Sequence, residues 1–309
     1  MATLITGVEG FLGRRLAERL QASGTGVVGL DVIAGTARPW PVVTGDVTDR
    51  AFIERVFAEH NVTSVVHCGG VSGPHVCNND PARVCQVNVF GTLNLFEVAR
   101  LRHIPGRIVF LSSSSAYGQA AELSSRDTPI RENAPLLANE PYGCSKVACE
   151  SLVRSYASQF GVDAVSLRVS IVYGPGRTTY CGISRMIRAA LAGEPIPLEH
   201  GSDFPLPWVH IEDVCSAIDA ALTVPRAHIR EVDTLAYNVT GPGYPTFRQI
   251  AAVVQSLVPG ATVKEHDAPD PYAMNARTMA LAAIKRDLGW EPATTIEAGV
   301  RSLFDTLAG

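Results

Sequence analysis

The chain has no Cys-x-x-Cys pair, no block of basic residues, no apolar run long enough to cross a membrane, and no internal repeat or low-complexity tract. Each absence removes a class of function. The seven cysteines (68, 77, 85, 144, 149, 181 and 215) are odd in number and scattered, which argues for reduced thiols and against a structural zinc site. Most of them read as small core residues. Acids and bases are interspersed and sum to a net charge of −4, so no basic stripe tracks a phosphodiester backbone and no nucleic-acid partner is expected. The opening Met1-Ala-Thr-Leu-Ile-Thr-Gly7 enters a buried-strand pattern without the basic flank of a signal peptide. The expectation is a soluble, cytoplasmic protein with a small-molecule partner and no membrane contact.

What is present is apolar sequence in quantity: 46% of 309 residues, sufficient for one large domain or two unequal ones. Short β-branched runs near 2–6, 26–30, 41–44, 63–67, 107–112 and 163–169 alternate with helical patterns near 11–22, 50–59, 80–101 and 143–160. That alternation predicts an α/β fold, a Rossmann-like doubly wound parallel sheet covered on both faces. Beyond Arg168, prolines at 175, 195, 197, 205 and 207 break the chain into loops around a helix near 182–192. A helix near 210–223 and a short strand near 235–239 return to the sheet pattern, and helices near 246–257, 278–287 and 296–307 carry no dinucleotide signature. The predicted division is a dinucleotide domain of residues 1–169 plus 206–240 and a smaller C-terminal substrate-binding domain of 170–205 plus 241–309.

The strand at 2–6 runs into Gly7-Val-Glu-Gly10-Phe11-Leu12-Gly13 and then a helix. Gly7 permits the tight turn, Gly10 lets a pyrophosphate approach the backbone, and Gly13 lets helix and strand pack closely. The second strand ends in Asp31, where an acid accepts from both hydroxyls of an adenosine ribose and repels a 2′-phosphate. NAD is therefore expected rather than NADP, since the next basic residue, Arg38, lies beyond another glycine. Asp46 and Val47, and the segment Cys68-Gly69-Gly70, fall at the ends of the third and fourth strands on the same edge.

Tyr142 and Lys146 stand four residues apart in a helical pattern, so they share a face, and the ammonium can favour the phenolate of its neighbour. A tyrosine so placed is a usable base near neutral pH. The run Ser112-Ser113-Ser114-Ser115 lies upstream as a source of hydroxyls.

These motifs, with Gly45-Asp-Val-x-Asp49, Asn88-Val-x-Gly-Thr92, Tyr117-Gly118, Arg168, Tyr173-Gly-Pro175 and Leu288-Gly-Trp-x-Pro292, occur in the order found in extended short-chain dehydrogenases/reductases. Over nearly its whole length the chain resembles their NAD-dependent epimerase/dehydratase group. The resemblance implies an NAD-dependent oxidoreductase moving hydride between the cofactor and a hydroxyl carbon of a sugar or sugar acid. In it Tyr142 is the acid/base, Lys146 holds the nicotinamide ribose, and Ser113, with Ser114 as second choice, bonds the reacting oxygen. Asn88 is expected to order the nicotinamide end. The resemblance also implies a homodimer through the helices near 80–101 and 143–160.

Departures from the group narrow the substrate. Sugar dehydratases resemble one another in an Asp-Glu pair after the catalytic Ser/Thr, and here Ser114 and Ser115 stand there. Ile171 and Leu206 replace an Asn and an Arg that usually accompany nucleotide sugars, so a free sugar or sugar acid is favoured. Arg177 and Arg277 are candidates to bind a carboxylate or hydroxyls, and Ser72 and His75 occupy a loop expected to approach the site. Cys181 is a minor candidate for an acid or base. A dehydrogenase is favoured slightly over an epimerase with a transient ketone. A non-catalytic NAD(H) sensor is disfavoured because both Tyr142 and Lys146 are present.

Overall fold

The structure, a computed structural model, describes residues 2–72, 77, 79–123, 128–200, 203–230, 233–269 and 278–309. Its strands are β1 (Ala2–Thr6), β2 (Val27–Asp31), β3 (Val42–Thr44), β4 (Val62–His67), β5 (Ile108–Ser113), β6 (Ala164–Val169), β7 (Ile171–Tyr173), β8 (Ile196–His200), β9 (Trp208–His210), β10 (Ala236–Val239) and β11 (Val263–Pro269). Seven of them form one parallel sheet in the order β10-β6-β5-β4-β1-β2-β3. Strands β2 and β6 are buried at every position, as a sheet covered on both faces requires. The strand order reverses between β1 and β4, which pair from Ala2 opposite Val62 to Thr6 opposite His67. The crevice beyond the carboxyl ends of those two strands is where a doubly wound sheet binds its ligand.

Several helices begin where the sequence supplies caps. Asp49 accepts from the Phe52 amide at 3.0 Å ahead of Arg50–Glu59. Thr246 and Gln249 close a capping box at Phe247–Leu257, and Thr295 accepts from the Ala298 amide at the head of Ile296–Ala308. Each such cap contributes about 1 kcal/mol.

Two main apolar clusters divide the described residues, with a third, minor one at Tyr117, Ala120, Ile130 and Met279. The larger surrounds the seven-stranded sheet. The smaller joins the helix Gly182–Leu191, the helices Phe247–Leu257 and Ile296–Ala308, and the parallel pair β8–β11. A separate two-stranded pair, β7 with β9, sets Ile171 opposite Trp208 between them. The chain passes between the clusters repeatedly: Val209–Val239 belongs to the large one, Phe247–Val254 to the small one, Ala283–Trp290 again to the large one and Val300–Leu303 to the small one. The division predicted from sequence puts residues near 283–290 in the second domain. They lie instead against the large core, where the Tyr237 hydroxyl of edge strand β10 donates to Asp287 at 2.9 Å.

The helix expected over 80–101 is present as a continuous run over 81–102, with a change of hydrogen-bond period inside it. A short turn at Pro81–Val84 passes into a π-helical segment, Cys85–Phe90, before the α-helix Gly91–Arg102. The widened turn is centred on the buried Asn88, and such bulges concentrate at functional positions. Among the described residues no helix is long and apolar enough to cross a membrane, and no group of three His, Cys, Asp or Glu side chains is placed to hold a metal.

Candidate active site

The glycine turn leaves the end of β1 with Gly7 in the left-handed region, φ +68°. A Cβ there would stand 2.7 Å from the Gly69 Cα, and one on Gly13 would stand 2.1 Å from the Gly7 carbonyl oxygen. No side chain therefore fits where the two loops and the helix meet. The helix Phe11–Ala22 starts after Gly10 with no side-chain cap and no acid in its first turn, so the amides of that turn remain available to an anion. Phe11 and Leu12 are half-buried at this end. The arrangement fits a pyrophosphate.

Toward the adenosine end, Asp31 closes β2. Its oxygens accept from the Glu9 amide at 2.9 Å and the Ile33 amide at 3.1 Å, and each keeps a lone pair for a ribose hydroxyl. Asp46 accepts from the Thr48 amide at 2.9 Å and lies 3.5 Å from Arg83. Burial opposes its charge, but the Thr48 bonds and Arg83 outweigh that and hold the carboxyl below its ordinary value. Val47 is buried against Gly91. Cys68 is a thiol rather than a thiolate: burial pushes it up to about 12 despite the Lys146 cation.

The helix carrying Tyr142 and Lys146, Pro141–Phe160, begins with proline at its first position and Glu140 as cap. The Glu140 carboxylate accepts from the Tyr142 amide at 2.9 Å and the Gly143 amide at 2.5 Å, which fixes the backbone beneath the phenol. Tyr142 is half-buried, and its hydroxyl has no partner among the described residues. One turn on, Lys146 is 8% exposed and donates to the Leu111 carbonyl at 2.7 Å. Its Nζ lies 4.8 Å from the Phe110 ring centre and 5.6 Å from that of Tyr142, within cation–π range of both. The serine turn is pressed against the same helix start, because a Cβ on Gly143 would stand 2.6 Å from the Ser115 carbonyl oxygen. Ser113 caps that turn, its Oγ accepting from the Ser115 amide at 3.1 Å, which leaves its proton free to donate. Ser114 is half-buried beside it.

Asn88 is committed internally. Its amide donates to Ser145 Oγ and the Val71 carbonyl, both at 3.0 Å, and accepts from the Val71 amide at 2.8 Å. Ser145 in turn donates to the Tyr142 carbonyl at 2.7 Å. Asn88 thus ties the loop after Gly70 to the helix Pro141–Phe160.

A second tie runs through the sheet. The Gly69 amide donates to Thr6 Oγ1 at 3.0 Å, Thr6 Oγ1 lies 2.6 Å from His67 Nδ1, His67 Nε2 lies 3.1 Å from Thr92 Oγ1, and Thr92 donates to the Asn88 carbonyl at 2.6 Å. Only one assignment satisfies every member: Thr6 donates to Nδ1, and His67 is the Nε2–H tautomer donating to Thr92. Burial, with the Lys146 cation added, pushes the imidazole down to about 3, so it stays neutral.

Beneath the serine turn lies a buried ionic group that motif reading left unassembled. Arg168 meets Glu150 through Nε at 2.9 Å and Nη2 at 2.7 Å, with both side chains 2% exposed. Ser112 donates to the same carboxylate at 2.6 Å, so it anchors the strand end and does not face the cleft. Arg168 also donates to the Tyr117 hydroxyl and the Glu132 carbonyl, each at 2.8 Å, and Tyr117 donates to Asn238 at 2.7 Å. These bonds keep the guanidinium charged against the cost of burial.

Residues assigned to the substrate side distribute differently. Arg177 donates to the Val172 carbonyl and, at 3.1 Å, to Thr179, so it braces its own loop. It also lines a groove of about 760 Å³ with Arg185, Arg188 and Lys264, to which neither Tyr142 nor the serine turn contributes. Cys181 is buried in the smaller apolar cluster and lines that same groove, which neither Tyr142 nor the serine turn lines. Ile171 and Leu206 pack in that same cluster. Ser72 is exposed after β4. His75 and Arg277 lie outside the described residues.

A model of the NAD dependent epimerase/dehydratase family matches residues 3–239. The dTDP-glucose 4,6-dehydratase of Xanthomonas campestris pv. campestris is 28% identical over 331 residues, covering 99% of this chain and 93% of that one. The UDP-glucose 4-epimerase of Mycolicibacterium smegmatis is 27% identical over 314 residues, covering 97% and 96%. The solved UDP-glucose 4-epimerase of Thermus thermophilus, in complex with NAD, superposes with a TM-score of 0.84 at 26% identity, covering 100% of this chain and 99% of that one. Matched over residues 3–239, this chain belongs to the NAD dependent epimerase/dehydratase family and is an NAD-dependent enzyme.

Proposed function

We propose that the protein is an NAD-dependent dehydrogenase acting on a hydroxyl carbon of a sugar or sugar acid, with Tyr142 as its acid/base. One observation carries the assignment. The Tyr142 phenol, without a hydrogen-bond partner among the described residues, shares a helical turn with the fixed Lys146 ammonium, and the Ser113 hydroxyl comes from a turn pressed against the same helix start. NAD, when bound, supplies a site that takes up or returns hydride. Tyr142 removes the hydroxyl proton as the carbonyl forms, Lys146 stabilises the negative charge on the phenol oxygen, and Ser113 donates to the substrate oxygen. Gly7, Gly10, Gly13, the Phe11 and Leu12 amides and Asp31 hold the dinucleotide; Val47 and Asp46 flank its adenine, and Cys68 to Gly70 line the path to the nicotinamide.

No carboxyl group follows Ser113 in the turn, since Ser114 and Ser115 do not ionise, and an elimination would lack its acid and base there. The positions of Ile171 and Leu206 in an apolar cluster leave no amide or cation for a nucleotide diphosphate at those points. A second reading, an epimerase that keeps its ketone and returns the hydride to the other face, is favoured by the family's sugar-nucleotide epimerases. We place the protein in the cytoplasm as a homodimer. Phe90, 58% exposed at the end of the π-helical segment, and Phe160, 54% exposed, support a contact through the two long helices.

The test is purified protein screened with sugars and sugar acids for net NADH formation, and by NMR for isomer exchange without it. Tyr142→Phe should lower turnover by about 10²–10⁴ while NAD binding is unchanged. An active Phe variant removes the assigned base. Isomer exchange without net NADH selects the epimerase.

A further inference from the structure

His67, the last residue of β4, is a buried titratable group that takes no part in the proton transfer assigned to Tyr142. It is 1% exposed and stands in register with Thr6 on one side and Phe110 on the other. Thr6 and Thr92, which flank its ring, are fully buried. The Phe110 ring centre lies 5.8 Å from that of the imidazole and 4.8 Å from Lys146 Nζ, so an imidazolium here would set a second cation near the first.

Each hydroxyl in this row has one proton to give. Thr92 gives its proton to the Asn88 carbonyl at 2.6 Å, so it can only accept from the imidazole nitrogen 3.1 Å away. Nδ1 is then left to accept from Thr6 at 2.6 Å, and Thr6 keeps its lone pairs for the Gly69 amide. Thr6, His67 and Thr92 therefore donate in one direction, from the glycine turn toward Asn88. The Asn88 carbonyl belongs to the π-helical segment, and it also takes the Cys149 thiol at 3.3 Å. Two side-chain donors inserted at one carbonyl are a physical cause of a widened turn. From the same residue the row continues: the Asn88 side chain donates to Ser145, and Ser145 donates to the Tyr142 carbonyl. One line of bonded groups thus joins the loops around Gly7 to the backbone of Tyr142.

We infer that His67 is a positioning residue for the reaction: as the neutral Nε2–H tautomer it holds the Thr92 hydroxyl on the Asn88 carbonyl, keeps the widened turn open, and so places the Asn88 side chain that braces Tyr142 through Ser145. Buried as it is, His67 acts through these neighbours. The inference rests on the reading of Tyr142 as the acid/base.

The first tests need no substrate and use the full-length protein saturated with NAD⁺. Two-bond ¹H–¹⁵N correlation of the histidine-labelled protein at neutral pH should show His67 protonated at Nε2 alone; an Nδ1–H tautomer or a doubly protonated ring overturns the inference. Thr92→Val keeps the shape and removes the hydroxyl. It should speed amide exchange over 85–92 and 141–147 at least about tenfold, while the NAD⁺ dissociation constant measured by calorimetry changes less than about threefold. Thr92→Ser, which retains a hydroxyl, should restore slow exchange. Unchanged exchange over 141–147 in Thr92→Val, or no rescue in Thr92→Ser, overturns the inference. His67→Leu should behave as Thr92→Val does, and where it does not fold the Thr92 pair decides. With the sugar that yields NADH in screening, kcat of Thr92→Val should fall about ten- to a hundredfold at little changed KM and recover in Thr92→Ser; an unaltered kcat refutes the positioning role. An active Tyr142→Phe counts against the assigned base instead, and the tautomer and exchange results tell the two failures apart.

Discussion

Removing the Glu150 carboxylate should be among the most damaging single changes in the large core. In Glu150→Ala the Arg168 cation, 2% exposed, would keep its bonds to Tyr117 and the Glu132 carbonyl but lose its only carboxylate among the described residues. The bonds lost are Nε at 2.9 and 3.2 Å, Nη2 at 2.7 Å and the Ser112 bond at 2.6 Å. Leaving a buried charge unpaired costs about 3–5 kcal/mol, part of it the desolvation that the pair had offset. For a chain of this size that lowers the melting temperature by on the order of 10 °C. The double variant Glu150→Leu/Arg168→Met removes both charges and should recover most of the loss, since an apolar pair of similar volume needs no counter-charge. Thermal unfolding followed by circular dichroism distinguishes the cases. A single variant that melts within about 2 °C of the parent, or a double variant no better than the single, would refute the account of Arg168 as a held cation.

Acid should weaken the fold through His67. The unfolded imidazole takes a proton near its ordinary 6.5 while the folded one refuses it until about 3, so stability is full above 6.5 and is lost as pH falls toward 3. Between pH 6.5 and 5 this amounts to on the order of 2 kcal/mol, and His67→Gln should lack that part of the slope in urea unfolding at the two pH values; parallel slopes would exclude the neutral tautomer. Ser113→Ala should lower kcat about a hundredfold, as loss of one donor to the reacting oxygen does, while Ser114→Ala changes it little; the reverse result moves the role to Ser114.

The sheet is legible in the sequence because its strands are local: short β-branched runs ending in Gly7, Asp31 and Gly69 need no partner to be recognised. The helix read near 143–160 is legible in the same way, from its pattern, and the Glu140 cap starts it two residues earlier, at Pro141. The π-helical turn at Cys85–Phe90 is not, because it depends on Asn88 reaching Val71 and Ser145, contacts 17 and 57 residues away. The pairs β7–β9 and β8–β11 link short segments across long loops, which no local period announces. Arg38 escapes a local reading because a glycine separates it from Asp31. The loop instead folds back and brings its guanidinium to Glu9, a contact 29 residues apart. The ionic group under the serine turn is half-visible: Arg168 belongs to a motif, but Glu150, one turn beyond Lys146 on an otherwise ordinary helix, carries no signal of its own.

The passage of the chain back and forth between two cores has an engineering consequence. Neither core is encoded by one contiguous stretch: Trp208 packs in one and Val209 in the other, and Ala283–Trp290 returns to the sheet between two helices that do not. A relative's substrate side therefore cannot be transplanted as a single cassette, and a protease cut at one linker would release no self-sufficient fragment. New specificity has to be installed by point substitutions within an interlaced scaffold, and heating should melt both cores in one step.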